Sequence, residues 1–453
     1  MSVAASRRVP PGPTGYPLVG VFPKARRDPL RFFEDSAQRY GDVVSMRLGA
    51  HHVYLLCHPD HVKHVLQDHA HVYAKGPPAT RVRALFGDSL TVVDGDRWRR
   101  RRRQVQPAFQ PGHHTQFAAV VHRATSEMLE RWRPLAERGV VVEMVGEMRR
   151  LTQTIIIRAC FGEIRAAEVE TLSEALDVAV GHVERQLWSA LGWLEIPTPA
   201  GIRHRRALGA IDTFLSAKVS AAHRSTPPPG TILAALLRSP VAAGGEPLSE
   251  AELHDELKTI LVAGHTTIAS ALAWVWYVLS EQSDAQEQLE EECRAAGSHA
   301  PGVDALPRLG YTRRVIEEVL RLYPPTWLTA RTPVEDDTIG GYTIPVGSLV
   351  LLSPYLTHRH PDVWPAPERF DSDRFTSARA AFRPAFAYFP FGGGPRRCIG
   401  GALATIEMQL IVSAVAQSYR LTVLPGARIV PIAGLTLRPG PSVPTQLQRT
   451  RGD

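Results

Sequence analysis

The chain has 453 residues, 44% of them hydrophobic and 21% charged, which is ordinary globular material with length for a large core. Its four cysteines, Cys57, Cys160, Cys293 and Cys398, lie far apart, which excludes a metal-finger or dithiol redox motif and suits a reducing compartment. The net charge of +7 implies an anionic partner without naming it.

Met1 to Pro23 holds several prolines and two arginines but no apolar run, so neither a signal peptide nor a membrane anchor is expected there. Val43–Leu48 and His52–Leu56 flank Gly49-Ala50-His51 and read as a hairpin. Pro59 to Leu66 reads as a short helix, and Lys75 to Gly95 as mostly loop. Helical patterns run from Asp96 to about Leu237, broken at Pro197–Ala200 and at Thr226-Pro227-Pro228-Pro229-Gly230, and Gly244-Gly245 closes that part. The next helix opens on a capping box, Ser249-Glu250-Ala251-Glu252, and extends to about Glu281, roughly 48 Å at 1.5 Å per residue. Within it, Thr259 to Ser280 carries no Asp, Glu, Lys or Arg and is long enough to cross a bilayer. Gly264, His265, Thr266, Thr267 and Ser270 crowd its middle, which favours a helix buried in protein. A second box, Ser283 with Gln286, starts another helix, and Tyr311 to Leu322 is one more, stopped by Pro324-Pro325. Short strands follow at Asp337–Tyr342, Ser348–Leu352, Leu421–Leu424 and Gly434–Leu437. The pattern is mostly helical with a minor β part, without internal repeats or a composition shift that would divide it.

The densest chemistry lies in Phe391-Gly392-Gly393-Gly394-Pro395-Arg396-Arg397-Cys398-Ile399-Gly400, ahead of a helix expected over Ala402 to Tyr419. A thiol near a helix N-terminus meets free N–H groups and the positive end of the macrodipole, which favour the thiolate, the form that binds iron. The glycines leave room for a flat macrocycle, and Arg396 is placed for an anion such as a propionate. A buried, inert cysteine after a glycine turn is the bland alternative. The stretch matches Phe-x-x-Gly-x-Arg-x-Cys-x-Gly at every fixed position. That loop resembles the cysteine-ligand loop of the cytochrome P450 family.

Three further motifs occur in that family's order. Trp98-Arg99-Arg100-Arg101-Arg102-Arg103 is the densest charge run; without an aromatic platform or a further basic stripe it is thin support for nucleic acid. The family has Trp-x-x-x-Arg here, which implies that Trp98 and Arg102 reach haem propionates while the other arginines face an acidic redox partner. Arg331, in Leu328-Thr329-Ala330-Arg331-Thr332, sits where the family keeps another propionate-binding arginine. Glu318 and Arg321 share a helix face at i, i+3; by resemblance they form a buried structural triad with Arg369. On the long helix, Ala263-Gly264-His265-Thr266-Thr267 stands where the family has a small residue, Gly, any residue, an acid and Thr over the oxygen-binding face. Thr267 matches, whereas Thr266 replaces the acid.

The resemblance covers nearly the whole chain. It implies one domain over residues 1–453, mainly α with a small β lobe, triangular, with haem between the long central helix and the cysteine-loop helix; residues 1–10 and 440–453 are expected to be flexible tails. It implies haem b (iron protoporphyrin IX) held through Cys398, with Trp98, Arg102, Arg331, Phe391, Gly392, Arg396 and Gly400 around it. Gly264, Thr266 and Thr267 would serve catalysis. Ala84, Leu85, Phe86, Ile260, Ala263, Pro325, Trp327, Leu328, Gly434 and Leu435 would wall an apolar pocket. The expected activity is a cytoplasmic mono-oxygenase inserting one atom of O₂ into a hydrophobic molecule such as a terpenoid, fatty acid or polyketide. Electrons would come from NADPH or NADH through a separate reductase and an acidic ferredoxin, with no nucleic acid and no membrane anchor involved. The alternatives are a haem-thiolate isomerase, dehydratase or peroxide-driven enzyme, and a non-catalytic haem sensor.

Overall fold

The computed structural model describes residues 8–187, 198–242, 246–297 and 302–450. Its axis is the helix Glu250–Glu281. Both halves of the capping box form: Glu252 N–H donates to Ser249 Oγ at 3.2 Å and Ser249 N–H to Glu252 Oε2 at 3.0 Å, satisfying two otherwise orphaned donors. This helix packs against Met144–Phe161, Pro199–Arg224, Gly310–Leu322 and Gly401–Ser418. Surrounded in this way, it buries Leu257, Leu261, Leu272, Trp274 and Val275 on successive faces, which is why it is apolar all round. Among the described residues it is the one helix long and apolar enough to cross a membrane, and 78% of its most apolar window is buried inside the protein.

The glycine in its middle has a packing cause. A Cβ on Gly264 would lie 2.6 Å from Ile156 Cγ1, so its absence lets the central helix and Met144–Phe161 approach closely. At the other end Trp274 stacks on Tyr323, with centroids 3.8 Å apart. Its indole N–H donates to Leu437 O at 3.0 Å, linking helix and β lobe.

The β part has a five-stranded sheet in the order Val43–Leu48, His51–Leu56, Leu349–Leu352, Thr329–Pro333, Tyr73–Ala74, and Leu437 lies in a separate two-stranded one, Val430–Ala433 with Leu437–Gly440. Its hairpin falls where the sequence places it, and His51–Leu56 pairs in parallel with Leu349–Leu352. A three-stranded sheet joins Val141–Glu143, Pro444–Arg449 and Tyr419–Val423.

Several expectations are corrected. Pro444–Arg449 is the central strand of that sheet, with Thr445 and Leu447 buried, so the segment from 440 onward is not simply a flexible tail; its alternating inward residues are masked in sequence by flanking prolines. Lys75 to Gly95 contains the helix Pro77–Phe86, started by a proline at its first position. Asp337–Tyr342 is not one strand but the turn of a hairpin, Asp337–Ile339 with Tyr342–Ile344, closed by Gly340 and Gly341 at positive φ. Gly434 to Thr436 is likewise the turn between Val430–Ala433 and Leu437–Gly440. The helix Ser283–Ala295 forms without a capping box, Ser283 being its first residue. Gly244-Gly245, and Pro197 of the expected break at Pro197–Ala200, lie outside the described residues; a helix begins at Pro199, capped by Thr198.

Candidate functional site

The loop 391–400 is folded back on itself by backbone bonds, Cys398 N–H to Phe391 O at 2.9 Å and Arg397 N–H to Gly394 O at 3.1 Å. Gly394 has φ +63°, and a Cβ there would lie 1.7 Å from Leu66 O. Only glycine lets this loop rest directly on the backbone of the turn His64–Asp68. The helix Gly401–Ser418 starts immediately afterwards. Of the four cysteines, Cys57, Cys160 and Cys293 are buried and Cys398 is exposed. Exposed as it is, Cys398 has enough packed atoms around it that desolvation pushes its pKa up, against the Gly400 and Gly401 N–H groups and the charges of Arg102 and Arg397. The Gly400 and Gly401 N–H groups thus favour the thiolate as expected, but desolvation outweighs them. A cation bound in the proton's place would offset that desolvation.

The central helix, closed along most of its length, opens at one place. Ala263 is exposed and Thr267, one turn on, is half-buried. Thr267 Oγ donates to Ala263 O at 3.0 Å and Thr266 Oγ to Val262 O at 3.1 Å, so both hydroxyl protons sit on the helix's own carbonyls. Gly264, expected among the catalytic residues, instead spaces this helix from Ile156. His265 is closed to solvent, with Nδ1 2.6 Å from Leu261 O. Burial pushes its pKa down to about 4, which makes it a poor proton relay at neutral pH.

Three cations gather around one carboxylate beside the cysteine loop. Arg396 donates to Val93 O at 3.2 Å and to Asp94 Oδ1, and lies over the Trp98 ring, 4.5 Å from its centroid. Arg331 is buried, donates to Ala330 O at 2.8 Å, and has its pKa pushed down to about 10 by burial and then by Arg396. The third cation, Lys75, is half-buried; burial, then Arg331 and Arg396, push its pKa down to about 7. Its backbone N–H donates to Asp94 Oδ2 at 3.0 Å. Nothing in the sequence around Lys75 singles it out. An excess of cations over anions in a partly buried site favours one more anion, and a propionate has that charge. Arg102, expected in this set, points elsewhere: it donates to Arg397 O at 2.9 Å and to Gln106 Oε1 at 3.0 Å, beside Cys398. With one exposed thiol, one open helix face and this cation excess, the residues fit a haem with anionic side arms.

The cytochrome P450 family model matches residues 10–447. The chain belongs to the cytochrome P450 family. It is 36% identical over 434 residues to cyclooctatin synthase of Streptomyces melanosporofaciens, covering 95% of this chain and 93% of that one. To cyclooctat-9-en-7-ol 5-monooxygenase of the same organism it is 34% identical, with 92% and 90% covered. A retinoic acid bound cyanobacterial CYP120A1 superposes with a TM-score of 0.88 at 27% identity, covering 98% of this chain and 100% of that one. The P450 fold is thereby shown, family membership implies a haem cofactor, and the protein is an oxidoreductase of the mono-oxygenase class.

Behind the cysteine loop this P450 buries an ion cluster that corrects the expected triad. Arg321 holds Glu318 through Nε at 2.7 Å and Nη2 at 2.8 Å, both side chains fully closed. Arg369 gives only its carbonyl, which accepts from Arg321 Nη2 at 3.2 Å, and its side chain is exposed. The second guanidinium belongs to Arg374, 8% exposed, with Nε 3.4 Å from Glu318 Oε1. Arg374 lies in a short 3₁₀ turn, Ser372–Phe375, and a five-residue shift in an irregular segment leaves no periodic signal. The basic run is also divided. Arg101 is buried against Glu252 and Glu256 of the central helix and Arg100 pairs with Glu252, while Arg97, Arg99 and Arg103 stay exposed. Arg101 therefore does not face outward as the resemblance implies, and Arg100, paired but half-exposed, does so only in part.

The expected pocket residues fall into two groups. Ala84 and Ala263 are exposed and Leu328, Gly434 and Leu435 half-buried. Leu85 has no accessible surface, and Trp327, Phe86, Ile260 and Pro325 are buried. Leu85 belongs to the main core, and Trp327 packs on Phe33 while its N–H donates to Gly434 O at 3.1 Å, so these two hold the wall from behind. One polar group is new to this wall: Glu184 accepts from Leu435 N–H at 3.2 Å. None of the expected pocket residues lines the cavity of about 410 Å³ behind the cysteine loop, which is bounded by Ile316, Leu320, Phe391, Thr405 and Gln409 among others.

Proposed function

We propose that this P450 inserts one atom of O₂ into a hydrophobic, terpenoid-like molecule and releases the other as water. The single observation that carries the reading is the opening at Ala263 and Thr267 of a helix buried on both sides of it, over residues 256–262 and 268–276, in a chain whose cysteine loop keeps its thiol exposed. The two Streptomyces relatives, named for cyclooctatin and for a 5-mono-oxygenase of cyclooctat-9-en-7-ol, support the terpenoid class. Haem, when bound, supplies the activation of O₂. Cys398 would ligate its iron; Arg331, Arg396 and Lys75 would neutralise its propionates, and Arg102 would place positive charge beside the sulfur. Thr267 would hold a proton-bearing water over the open face. With Thr266 in place of the acid and His265 turned into the core, the protons would travel through water ordered on the two threonine hydroxyls.

Two electrons and two protons accompany each insertion. Their source would be a separate acidic ferredoxin with a reductase drawing on NADPH or NADH, docked at the exposed Arg97, Arg99 and Arg103. A cytoplasmic location is supported by the burial of the long apolar helix Glu250–Glu281 and by the bacterial relatives. The absence of a carboxylate at position 266 also favours a second reading, a peroxide-driven enzyme, in which hydrogen peroxide supplies both oxygen and electrons. The test is incubation of a panel of terpenoid hydrocarbons and alcohols under ¹⁸O₂ with a ferredoxin, its reductase and NADPH. One ¹⁸O per product supports the first reading; product only with added peroxide, and none labelled by O₂, overturns it.

A further inference from the structure

We propose that His64, His69 and Asp337 form a binding site for a divalent transition metal ion of the zinc class, separate from the haem. The segment after Pro59–Lys63 is a π turn, His64–Asp68, closed by His69 N–H to His64 O at 2.8 Å. In an α-helix, residues five apart point about 140° away from each other. The wider i→i+5 turn brings them to the same side, and the two imidazoles lie 3.9 Å apart between centroids. Single π turns in proteins are rare and concentrate at functional sites. Opposite them stands Asp337, the first residue of the hairpin Asp337–Ile339 with Tyr342–Ile344.

The donor atoms converge. His64 Nε2 is 2.8 Å from Asp337 Oδ2, His69 Nδ1 is 3.8 Å from Asp337 Oδ1, and one ligand atom from each residue lies within 4.8 Å of the others. The second distance is too long for a hydrogen bond. Two metal bonds of about 2.0–2.2 Å at tetrahedral or octahedral angles put neighbouring donors roughly 3–3.6 Å apart, and the two observed separations bracket that range. Two imidazoles and a carboxylate suit zinc and its neighbours in the transition series. Asp337 is already oriented by a second layer: Tyr73 O–H donates to Oδ2 at 2.6 Å and Thr338 N–H to Oδ1 at 2.7 Å, the kind of support that metal-binding carboxylates keep. The Asp337 side chain is 9% exposed, His64 24% and His69 47%, so the cluster is anchored inside and open to solvent on the His69 side. The same π turn carries the Leu66 carbonyl on which Gly394 of the cysteine loop rests. An ion here would clamp that turn to the hairpin beside the haem ligand.

The test uses the purified holoprotein, stripped of loosely held divalent ions with a chelator and titrated with zinc chloride by calorimetry, with zinc content read after dialysis. One zinc per chain is expected, together with a rise in thermal midpoint. His69→Ala, at an exposed position, and Asp337→Asn should each weaken zinc binding by about 100-fold or more, since outer-layer losses alone cost about 10–100-fold. His71→Ala, whose ring is 6.2 Å from that of His69, should leave it unchanged. The Soret band of each variant checks that the chain is folded. Wild-type protein that takes up no zinc, or His69→Ala protein that binds it as tightly as wild type, overturns the proposal; should Asp337→Asn fail to fold, His69→Ala decides alone.

Discussion

Arg101 donates to Glu256 Oε1 at 2.8 Å with 2% and 1% of the two side chains exposed, so the arginine helix is fastened to the central helix by a charge pair inside the protein. Arg101 also reaches Glu252 at 2.7 Å, and Glu256 accepts from Leu90 N–H at 2.7 Å. Removing one partner of a buried pair strands the other, which costs about 3–5 kcal/mol. Arg101→Ala should therefore lower unfolding free energy by that amount in denaturant titration. Arg97→Ala, four residues away in an exposed pair with Asp88, should change it by no more than about 0.5 kcal/mol. Equal effects would contradict the division of the basic run.

The ion cluster behind the haem loop makes a second comparison. Glu318 is held by Arg321 and Arg374, and Arg369 contributes only a carbonyl. Arg374→Ala should destabilise the fold by about 3 kcal/mol or more and reduce haem content on purification. Arg369→Ala keeps its backbone and should match wild type in both measurements. The opposite ranking would restore Arg369 to the triad.

Much of this site was legible from the chain because its motifs act through backbone and spacing. Cys398 stands out by its glycines, the central helix by its capping box and uncharged middle, and Glu318/Arg321 by their i, i+3 placement. What escaped was set by tertiary approach. Gly264 stands in the motif over the oxygen-binding face, yet its missing Cβ faces Ile156. Arg101 and Arg99 look alike in a run of identical residues, and only the position of Glu256 separates them. Lys75 and Arg374 lie in segments without periodicity, where nothing local says which way a side chain turns. The strand Pro444–Arg449 looked like a tail because prolines surround it.

His265 gives a pH prediction. Its folded pKa is pushed down to about 4 from 6.5 by burial, so between those values the unfolded chain binds a proton that the native chain does not. Stability must then rise with pH and be lost as pH falls through this window. At about 1.36 kcal/mol per pKa unit the full loss is about 3 kcal/mol. Denaturant titrations from pH 7 to pH 4 should show a shallower slope for His265→Gln than for wild type. Identical slopes would mean that the imidazole reaches water.

On the open face of the central helix the two threonines should behave differently. Thr267 shares its face with the exposed Ala263, one turn earlier, whereas position 266 lacks the carboxylate that would make it a proton donor. General acid–base assistance is worth about 10²–10⁴-fold. Thr267→Ala should send most reducing equivalents to peroxide, and Thr266→Ala should do far less, measured as product and peroxide per NADPH consumed. Full coupling in Thr267→Ala would favour the peroxide-driven reading.

The central claim is that Cys398, the one exposed thiol of the four, is the iron ligand. The most direct measurement is the absorption spectrum of the reduced carbon monoxide complex for wild type and for serine substitutions at each cysteine. The red-shifted Soret band of a thiolate-ligated haem should appear in wild type, Cys57→Ser, Cys160→Ser and Cys293→Ser, and vanish in Cys398→Ser. A normal band in Cys398→Ser protein would contradict the assignment of the site.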